Sequence, residues 1–598
     1  MDNLQEKIAQ LEKEIEKLPH GYISRKTING KIRQYHQWTE NGKKKSKYLN
    51  DDDATIMAEL IEKRRKLQQE LKETKSLLFK SSIHKMSYSP VFQTDVLTGD
   101  TLKRFALRSA NLKSRSCLQK LQTFLNGDTD SRVLILYGLR RTGKTTLIQQ
   151  SLLNMNTEQL NKAVFLQVKR GDTLSMVNQD LKNLLNQGFR YVFIDEVTLM
   201  EDFIEGAALF SDIYAACGMK IVLSGTDSLG FLFSADEQLY DRCEMLHTTF
   251  IPYREFESVL GIHGIDEYIR YGGTMSLGGV HYNEHSTFSS KKSTDEYVDS
   301  AIAKNIQHSL KYYQDAGHFR HLQSLYDKNE LTSAINRIVE DINHRFTIDV
   351  LVRDFISHDL GLSARNLRKD SNQPTDVLDN IDKDKLTANL KKALEILNKN
   401  EQTVEIEEAH KIEIKEYLDL LDLTVDIPIE TLPVVNEKTY LTVISQPGLR
   451  YSQANALITQ LMKDAIFQNI SGNERKRIID RILDEIKGRM MEEIVLLETK
   501  KAYPKKEVFK LTFAVGEFDM VIFNPEKVNC EIFEIKHSTV AFPQQYRHLI
   551  DWQKCKDTEF RYGTITSKYV IYRGKSKIDG EVKYLNVEEY LKGLEQDR

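Results

Sequence analysis

An eight-residue loop with two glycines, between an apolar run and an amphipathic stretch, constrains the fold of this chain more than any other feature. The loop GLRRTGKT occupies residues 138–145, directly after the apolar run VLILY at 133–137, and TTLIQQSLL continues from it. Gly138 and Gly143 allow backbone N–H groups to turn inward, and the first turn of a helix adds the positive end of its dipole. The pattern therefore predicts a strand, a phosphate-binding loop and a helix in that order.

The residues of this loop have separate expected roles toward ATP. Lys144 should reach the β and γ phosphates, and Thr145 should ligate Mg²⁺. Arg141, Thr142 and Thr146 complete the expected ATP-binding set with the two glycines. A glycine-rich loop without a ligand is the alternative, and the flanking strand and helix patterns argue against it.

The run YVFIDE supplies two carboxylates at the end of another expected strand. Asp195 is placed to act on the metal ion, and Glu196 to orient or deprotonate the attacking water. Two adjacent carboxylates at the end of a buried strand repel each other when no cation is near. After the next apolar run, Thr226 offers a hydroxyl that would sense the γ-phosphate, although a plain turn explains the sequence Ser-Gly-Thr equally well.

Short apolar runs alternate with helical stretches from residue 132 onward. The runs occupy residues 133–137, 163–168, 191–195, 220–224 and 248–251. Buried strands that alternate with helices indicate an α/β sheet that is largely parallel. The acidic pair, with a strand between it and the P-loop strand, resembles the AAA+ and STAND branch of P-loop ATPases.

Three further segments narrow this resemblance. YDR at 240–242, FIPYREF at 250–256 and YIRYGG at 268–273 are similar to a bacterial and archaeal ATPase family with a winged-helix segment and a restriction-endonuclease-like C-terminal domain. The resemblance covers residues 116–430 and implies that Arg242 contacts ATP. Asp241 stands where that family has glycine, and Met275 where it has proline. Residues 346–370 are compatible with a helix-turn-helix or with a simple helical pair.

The C-terminal region resembles the PD-(D/E)XK nuclease fold. Glu492 lies in GRMME, Asp519 in EFDMVIF, and Glu534 and Lys536 in CEIFEIK. In a strand, Glu534 and Lys536 face the same side, where Asp519 and Glu492 are expected to join Glu534 around Mg²⁺ or Mn²⁺. Lys536 would assist the nucleophile or the phosphate. The alternative is a nuclease-like fold that serves as a structural or binding module, since such a trio also forms plain salt bridges.

The N-terminal region predicts a helical hairpin with a β tip. Apolar residues from Leu4 to Leu18 keep heptad spacing, and the cluster Asp51-Asp52-Asp53 is well suited to capping a second helix. Two Asn-Gly dipeptides predict a three-stranded meander over residues 21–49, which holds eight basic residues against Glu40 alone. This tip is a candidate DNA-binding surface, although a solvated tip or a protein docking site explains the same charges.

Length and composition predict several domains in one chain. With 598 residues, of which 40% are hydrophobic and 29% charged, the sequence is typical of a multidomain globular protein. No apolar run approaches the ~18 residues that cross a bilayer, so we expect a cytoplasmic protein without a membrane partner. Five scattered cysteines indicate structural thiols. We expect a hairpin with a basic meander at residues 1–85 and a linker at 86–115. A P-loop ATPase domain should follow at 116–260, a helical and winged-helix region at 261–475, and a nuclease-like domain at 476–598.

The sequence therefore predicts a multidomain α/β protein that binds and hydrolyses ATP with Mg²⁺. The ATPase is expected to be coupled to a metal-dependent DNA nuclease in antiviral defence or mobile-element biology, with a homo-oligomer formed through the N-terminal helices or the ATPase domain. The alternative is a regulatory or signalling ATPase whose nuclease-like domain is inactive and binds DNA or a partner.

Overall fold

The computed structural model describes residues 10–28, 31–40, 43–83, 92–128, 130–200, 202–226, 231, 238–276, 285–306, 310, 319–356, 406–433, 438–461 and 471–594. The chain divides into two compact units, Met1–Val91 and Phe92–Arg598. Within the described ranges, no helix has the length and apolar character needed to cross a bilayer.

The first unit is a helical hairpin that carries a β-meander. Strand β2 pairs antiparallel with both β1 and β3, as the predicted meander requires. Leu11, Ile15, Leu49 and Ile61 are buried where the helices meet the sheet. The elements are α1 (10–16), β1 (Tyr22–Ile28), β2 (Lys31–Glu40), β3 (Lys43–Leu49) and α2 (Asp51–Ile83). Leu4, Ile8 and the two Asn-Gly dipeptides of the prediction lie outside the described residues.

The start of α2 differs from the prediction in one detail. Asn50 caps the helix, because its side-chain oxygen accepts a hydrogen bond of 2.7 Å from the backbone N–H of Asp53. The three aspartates occupy the first turn, where negative charge favours the positive end of the helix dipole.

The second unit begins with a six-stranded sheet of order β4-β6-β7-β8-β5-β9. Its pairings are parallel except for β4 against β6, and β8 separates the P-loop strand β5 from β7. The elements are β4 (Asp95–Leu97), α3 (Gly99–Leu107), α4 (Leu118–Asn126), β5 (Val133–Tyr137), α5 (Lys144–Leu153), α6 (Thr157–Asn161), β6 (Ala163–Gln167), α7 (Leu174–Asn186), β7 (Tyr191–Asp195), α8 (Phe203–Gly206), β8 (Lys220–Gly225) and β9 (Cys243–His247).

Two expectations about this sheet are wrong. The sixth strand is β9, and the run at 248–251 follows it as a loop in which the buried side chains of Thr248 and Thr249 bond to the phosphate loop. Residues expected as part of a linker contribute β4 and α3, whose Leu102 and Ala106 are fully buried. Residues 92–115 therefore belong to this domain, because they cover apolar surface at the sheet edge.

Helices dominate the middle of the second unit. They are α9 (Tyr253–Leu260), α10 (Ile265–Tyr271), α11 (Lys291–Tyr297), α12 (Arg320–Asp327), α13 (Leu331–Ile356), α14 (Glu408–Leu420) and α15 (Pro447–Leu461). The first part of the possible helix-turn-helix at 346–370 lies inside the continuous helix α13, and the rest lies outside the described residues.

An eight-stranded sheet closes the second unit, with the order β11-β10-β12-β13-β14-β15-β17-β16. The elements are β10 (Thr424–Leu432), β11 (Thr439–Ile444), α16 (Gly472–Ala502), β12 (Glu507–Phe513), β13 (Glu517–Asn524), β14 (Asn529–Lys536), α17 (Trp552–Tyr562), β15 (Thr564–Tyr572), β16 (Lys577–Asp579), β17 (Val582–Asn586) and α18 (Val587–Gly593).

The expected boundary at residue 476 does not separate two bodies. Strands β10 and β11 precede it but extend the C-terminal sheet, since β10 pairs in parallel with β12. One hydrophobic core also joins α9, α10, α15, α16 and this sheet through residues that include Tyr268, Leu457, Met491 and Phe533. The middle helices and the C-terminal sheet therefore pack as one structure.

Candidate functional site

The phosphate loop has the backbone conformation that its glycines predict. Gly138 and Gly143 have φ angles of 142° and 92°, and Arg141 between them has a φ of 65°. A Cβ atom at Gly138 would lie 2.5 Å from the Oγ1 atom of Thr248, so a side chain is excluded there by contact as well as by φ. Positive φ angles at several positions of one short loop let its backbone curve around a bound anion.

Lys144 begins α5 beneath this loop. Its Nζ atom donates hydrogen bonds of 2.8 and 2.9 Å to the carbonyl oxygens of Gly138 and Leu139, and its side chain is buried. Burial lowers the pKa of Lys144 to about 8, against the opposing effect of the Glu196 and Asp195 carboxylates. A phosphate group beside this ammonium would compensate for its lost hydration and favour its charged form.

The acidic strand end lies next to the start of α5. The Thr145 hydroxyl donates to the Oδ2 atom of Asp195 at 3.0 Å, and Asp195 is buried while Thr145 is exposed. Burial and the neighbouring Asp195 charge raise the pKa of Glu196. Thr226 donates to the Oε2 atom of Glu196 at 3.2 Å, so the hydroxyl expected to sense phosphate contacts the expected catalytic base.

These residues fit a nucleotide bound with Mg²⁺. The Thr145 hydroxyl and the Asp195 carboxylate are hard oxygen donors side by side, which Mg²⁺ prefers. The Lys144 ammonium and the N-terminal end of α5 supply the positive potential that phosphate groups need.

The other loop residues have structural contacts. Thr142 is buried, and its hydroxyl lies 2.9 Å from that of Thr248. Arg141 donates to the hydroxyl of Thr287 at 3.0 Å, so it joins the loop to the middle region. Thr146 is half-buried in the first turn of α5.

Arg242 is not brought to the phosphate loop of its own chain. It precedes β9, whose register with β5 pairs Cys243 with Val133 and His247 with Tyr137. The loop follows Tyr137 at the opposite end of this pair, about four strand steps of ~3.3 Å away. Arg242 forms an exposed ion pair with Asp212 at 3.1 Å. The expected contact with ATP in the same chain is therefore wrong, because the strand direction separates the two.

An arginine that sequence reasoning missed holds the loop in place. Arg115 donates from Nη1 to the carbonyl oxygens of Thr142 and Thr248, each at 2.8 Å, and from Nη2 to that of Phe250 at 2.9 Å. Its Nε donates to Glu255 at 2.8 Å, and both side chains of this ion pair are buried. Glu255 lies in the segment FIPYREF, but nothing in the sequence identified its partner.

Four predicted residues meet in the C-terminal sheet. The Nζ atom of Lys536 lies 2.9 Å from Asp519 Oδ2 and 2.6 Å from Glu534 Oε2. Asp519 also accepts a hydrogen bond of 2.7 Å from the backbone N–H of Ile535. Glu492 approaches from α16. The resemblance to the nuclease motif thus selected residues that the fold does bring together.

Among the described residues, the set of carboxylates with the spacing of metal ligands differs from the predicted set. Oxygen atoms of Glu492, Glu517 and Asp519 all lie within 4.8 Å of one another, which makes them a candidate set of metal ligands. Glu517 was missed, although its spacing of two from Asp519 in one strand places both on the same face. Glu534 instead pairs with Lys536, and its buried Oε1 atom has no hydrogen-bond partner among the described residues.

Basic side chains also occupy this cluster. Lys510 is 2% exposed and lies 2.7 Å from both Glu492 and Glu517. Arg489 contacts both oxygens of Glu492, at 2.8 and 2.7 Å. A lysine within the apolar strand EVFKLTF is a signal that sequence reasoning could have used, because a buried ammonium requires a partner.

The charges of this cluster shift its pKa values in opposite directions. Burial raises the pKa of Glu534 well above its usual range, helped by Asp519 and opposed by Lys536. Burial also acts to raise the pKa of Asp519, but the ammonium groups of Lys536 and Lys510 hold it well below its usual range. The residues fit a divalent metal by their oxygen donors, and the nearby ammonium groups compete with that metal for the same oxygens.

Comparison with known proteins identifies the P-loop domain. A family model described as an AAA domain matches residues 130–257, and a model described as a domain of unknown function, DUF6788, matches residues 1–59. No curated protein matches the sequence. A solved structure, the Orc1 protein of Aeropyrum pernix in complex with DNA, aligns with 61% of this chain and 98% of its own, at 13% identity and a TM-score of 0.21. The loop geometry, the acidic strand end and the family match show that this chain contains an AAA-type P-loop ATPase domain, to which a sheet-rich C-terminal domain is added.

Proposed function

We propose that this protein hydrolyses ATP and uses its C-terminal domain to cleave DNA with a divalent metal ion. The observation that carries the second activity is the cluster of Glu492, Glu517 and Asp519 oxygens within 4.8 Å, beside the pair Glu534–Lys536. Such a set of oxygens with an adjacent lysine is what metal-dependent phosphodiester hydrolysis needs.

Each residue of the ATPase site has a role in the proposed hydrolysis. Lys144 and the phosphate loop would bind the phosphates, and Thr145 and Asp195 would hold the metal ion. Glu196, with its raised pKa, is suited to accept a proton from water. Thr226 fixes the orientation of Glu196 through its hydrogen bond.

The order of elements around the second site supports its assignment. Helix α16, antiparallel strands β12, β13 and β14, helix α17 and the parallel strand β15 follow one another along the chain. This order is similar to that of the PD-(D/E)XK nuclease fold. Asp519 lies in the second of the three strands, and Glu534 and Lys536 in the third, as the motif requires.

The nuclease proposal assigns separate tasks to the residues of the cluster. Glu492, Glu517 and Asp519 would hold Mg²⁺ or Mn²⁺, which when bound polarises phosphate and lowers the pKa of a water molecule. Lys536 would position the nucleophile or neutralise the phosphate. The eight basic residues of the N-terminal meander supply a second DNA contact. The proposed setting in defence or mobile-element biology rests on the family resemblance alone, and the homo-oligomer stays a prediction.

A second candidate function follows from the basic residues of the cluster. Lys510, Lys536 and Arg489 already neutralise most of the charge of Glu492, Glu517, Asp519 and Glu534. A closed ionic cluster of this kind can be purely structural. The domain would then bind DNA or a partner without cutting, and the ATPase would be regulatory.

Plasmid cleavage separates the two candidates. Supercoiled DNA is incubated with the full chain in Mg²⁺ or Mn²⁺, with and without ATP, beside the variants Asp519→Ala and Lys144→Ala. Metal-dependent nicking by the wild type and its loss in Asp519→Ala supports the nuclease. The absence of cleavage under all conditions, together with intact ATP hydrolysis, supports the regulatory alternative.

A further inference from the structure

The N-terminal meander presents a row of tyrosines on one of its faces. Tyr48 on β3 stands directly opposite Tyr35 on β2, and Tyr22 on β1 stands opposite Gln37. Because side chains alternate between faces, residues 35 and 37 share a face, and their cross-strand neighbours share it too. The three tyrosines therefore lie on the same side of the sheet, and Tyr22 and Tyr48 are 50% and 56% exposed.

The opposite face of this sheet is the one that packs on the helices. His36 and Leu49 have the other parity in their strands, and both are buried. Helix α2 begins two residues after Leu49. The tyrosine face is therefore turned away from the small core of this unit.

Neighbouring groups hold the tyrosine rings. The rings of Tyr35 and Tyr48 meet edge to face with centroids 5.6 Å apart. The Tyr22 hydroxyl donates to the Oε1 atom of Gln37 at 2.7 Å. Rings fixed in this way lose little conformational entropy when a flat ligand stacks on them.

Basic positions lie at both ends of the tyrosine row. Lys26 and Arg33 are register partners at one end, where residue 33 lies two positions from Tyr35 along β2. Lys44 is the register partner of Thr39 at the other end, where residue 39 lies two positions beyond Gln37 along β2. Residues 33 and 39 are separated by about 20 Å of strand. Exposed aromatic rings between basic positions are the arrangement that binds bases by stacking and phosphates by charge.

We propose that this face binds single-stranded DNA, with bases stacked on Tyr48 and Tyr22 and the backbone held by the flanking basic residues. Single-stranded nucleic acid fits better than a duplex, because duplex bases are already stacked on one another and do not offer a free face. The choice of DNA rests on the proposed function above, since DNA is the polymer that the C-terminal domain is proposed to cut. The face would then hold an unpaired strand rather than read a sequence.

Fluorescence anisotropy of the full chain tests this proposal. The probe is a labelled oligothymidylate, titrated in EDTA without ATP so that neither proposed activity affects the result. We expect tighter binding of this strand than of a duplex of equal length. Tyr48→Ala should weaken binding about 5- to 150-fold, because stacking on an aromatic ring is worth that much per base. Tyr48→Phe should bind as the wild type does, since stacking needs the ring and not the hydroxyl.

A matched control variant and three possible results test the proposed binding of single-stranded DNA. Tyr440 in β11 is also 50% exposed, and Tyr440→Ala should leave the affinity unchanged. Unchanged affinity in both Tyr48→Ala and Tyr22→Ala overturns the stacking face, as does a preference for the duplex. Tighter binding of the matching oligouridylate overturns the choice of DNA. A plasmid assay without cleavage would defeat the nuclease proposal while leaving this binding result in place.

Discussion

Arg115 and Glu255 form a buried ion pair, with Nε and Oε2 2.8 Å apart, that joins the phosphate loop to helix α9. The same guanidinium bonds to the carbonyl oxygen of Thr142 inside the loop. Glu255 also accepts a hydrogen bond of 3.0 Å from the backbone N–H of Ser116. The position of the loop therefore depends on a helix that follows the whole ATPase sheet in the chain.

Removing one partner of this ion pair should destabilise the protein strongly. Arg115→Met leaves the Glu255 charge buried without its partner, which costs about 3–5 kcal/mol in comparable cases. The double variant Arg115→Met/Glu255→Leu should recover much of that loss, because no isolated charge remains. Both the loss and the recovery of stability can be measured by urea unfolding, with hydrogen exchange in α5 and α9 as the probe. Equal stability of the single and double variants would contradict a coupled pair.

Lys144 and Glu196 should separate nucleotide binding from hydrolysis. Lys144→Ala should abolish ATP binding, because it removes the buried ammonium beneath the loop. Glu196→Gln should retain binding and slow phosphate release by a factor of ~10²–10⁴, since it removes a proton acceptor and keeps the shape. Calorimetry and a phosphate-release assay measure the two steps. Glu158→Gln on an exposed helix is the matched control, and normal turnover in Glu196→Gln would exclude Glu196 from the mechanism.

Divalent metal should stabilise the second unit if the carboxylate cluster binds it. Binding to the native state alone raises the melting temperature, and Asp519→Asn should abolish that shift while ATP hydrolysis persists. Lys510→Met should enlarge the shift, because the ammonium that competes for Glu492 and Glu517 is gone. Lys536→Ala should keep metal binding and lose cleavage. If neither Mg²⁺ nor Mn²⁺ changes the melting temperature of the wild type or of any of these variants, the cluster is a structural one.

The buried carboxyl of Glu498 should make stability fall as pH rises. Burial raises the pKa of Glu498 to about 8, and its Oε1 atom accepts a hydrogen bond of 2.6 Å from the backbone N–H of Tyr253. Below the unfolded pKa of ~4.3 both states are protonated, and above it only the unfolded state releases the proton. The free energy of unfolding should therefore fall by about 5 kcal/mol at most between pH ~4.3 and pH ~8. Glu498→Gln should remove this pH dependence. Unfolding curves at several pH values would then show a free energy of unfolding that changes less with pH than that of the wild type.

Deleting residues 1–91 should weaken DNA binding and reduce its dependence on salt. A protein that makes fewer phosphate contacts releases fewer counterions when it binds DNA. The slope of log affinity against log salt should therefore become shallower. The truncated chain keeps the whole second unit, and its ATP hydrolysis serves as the control for folding. A slope that does not change would assign the basic meander to protein docking or oligomerisation.

Much of the local structure could be predicted, because the sequence patterns that determine it involve residues close together in the chain. VLILY followed by GLRRTGKT indicated a strand, a loop and a helix, and the structure has all three. The meander at 21–49 followed from turn dipeptides and alternation in the same way. The acidic pair and a strand between it and the P-loop strand carried the resemblance to AAA+ proteins, and in the sheet the strand between β5 and β7 is β8.

The sequence by itself determined which residue types were available to each site, while the tertiary structure decided which of them meet. Arg115 lies 140 residues from Glu255 in the chain, and no periodicity connects them. Glu517 and Lys510 entered the carboxylate cluster through strand register, and β10 joined the C-terminal sheet across an expected boundary. Arg242 was excluded from the phosphate loop by the direction of β9. The physical reason is that backbone propensities act over a few residues, whereas the pairing of buried charges depends on how distant elements pack together.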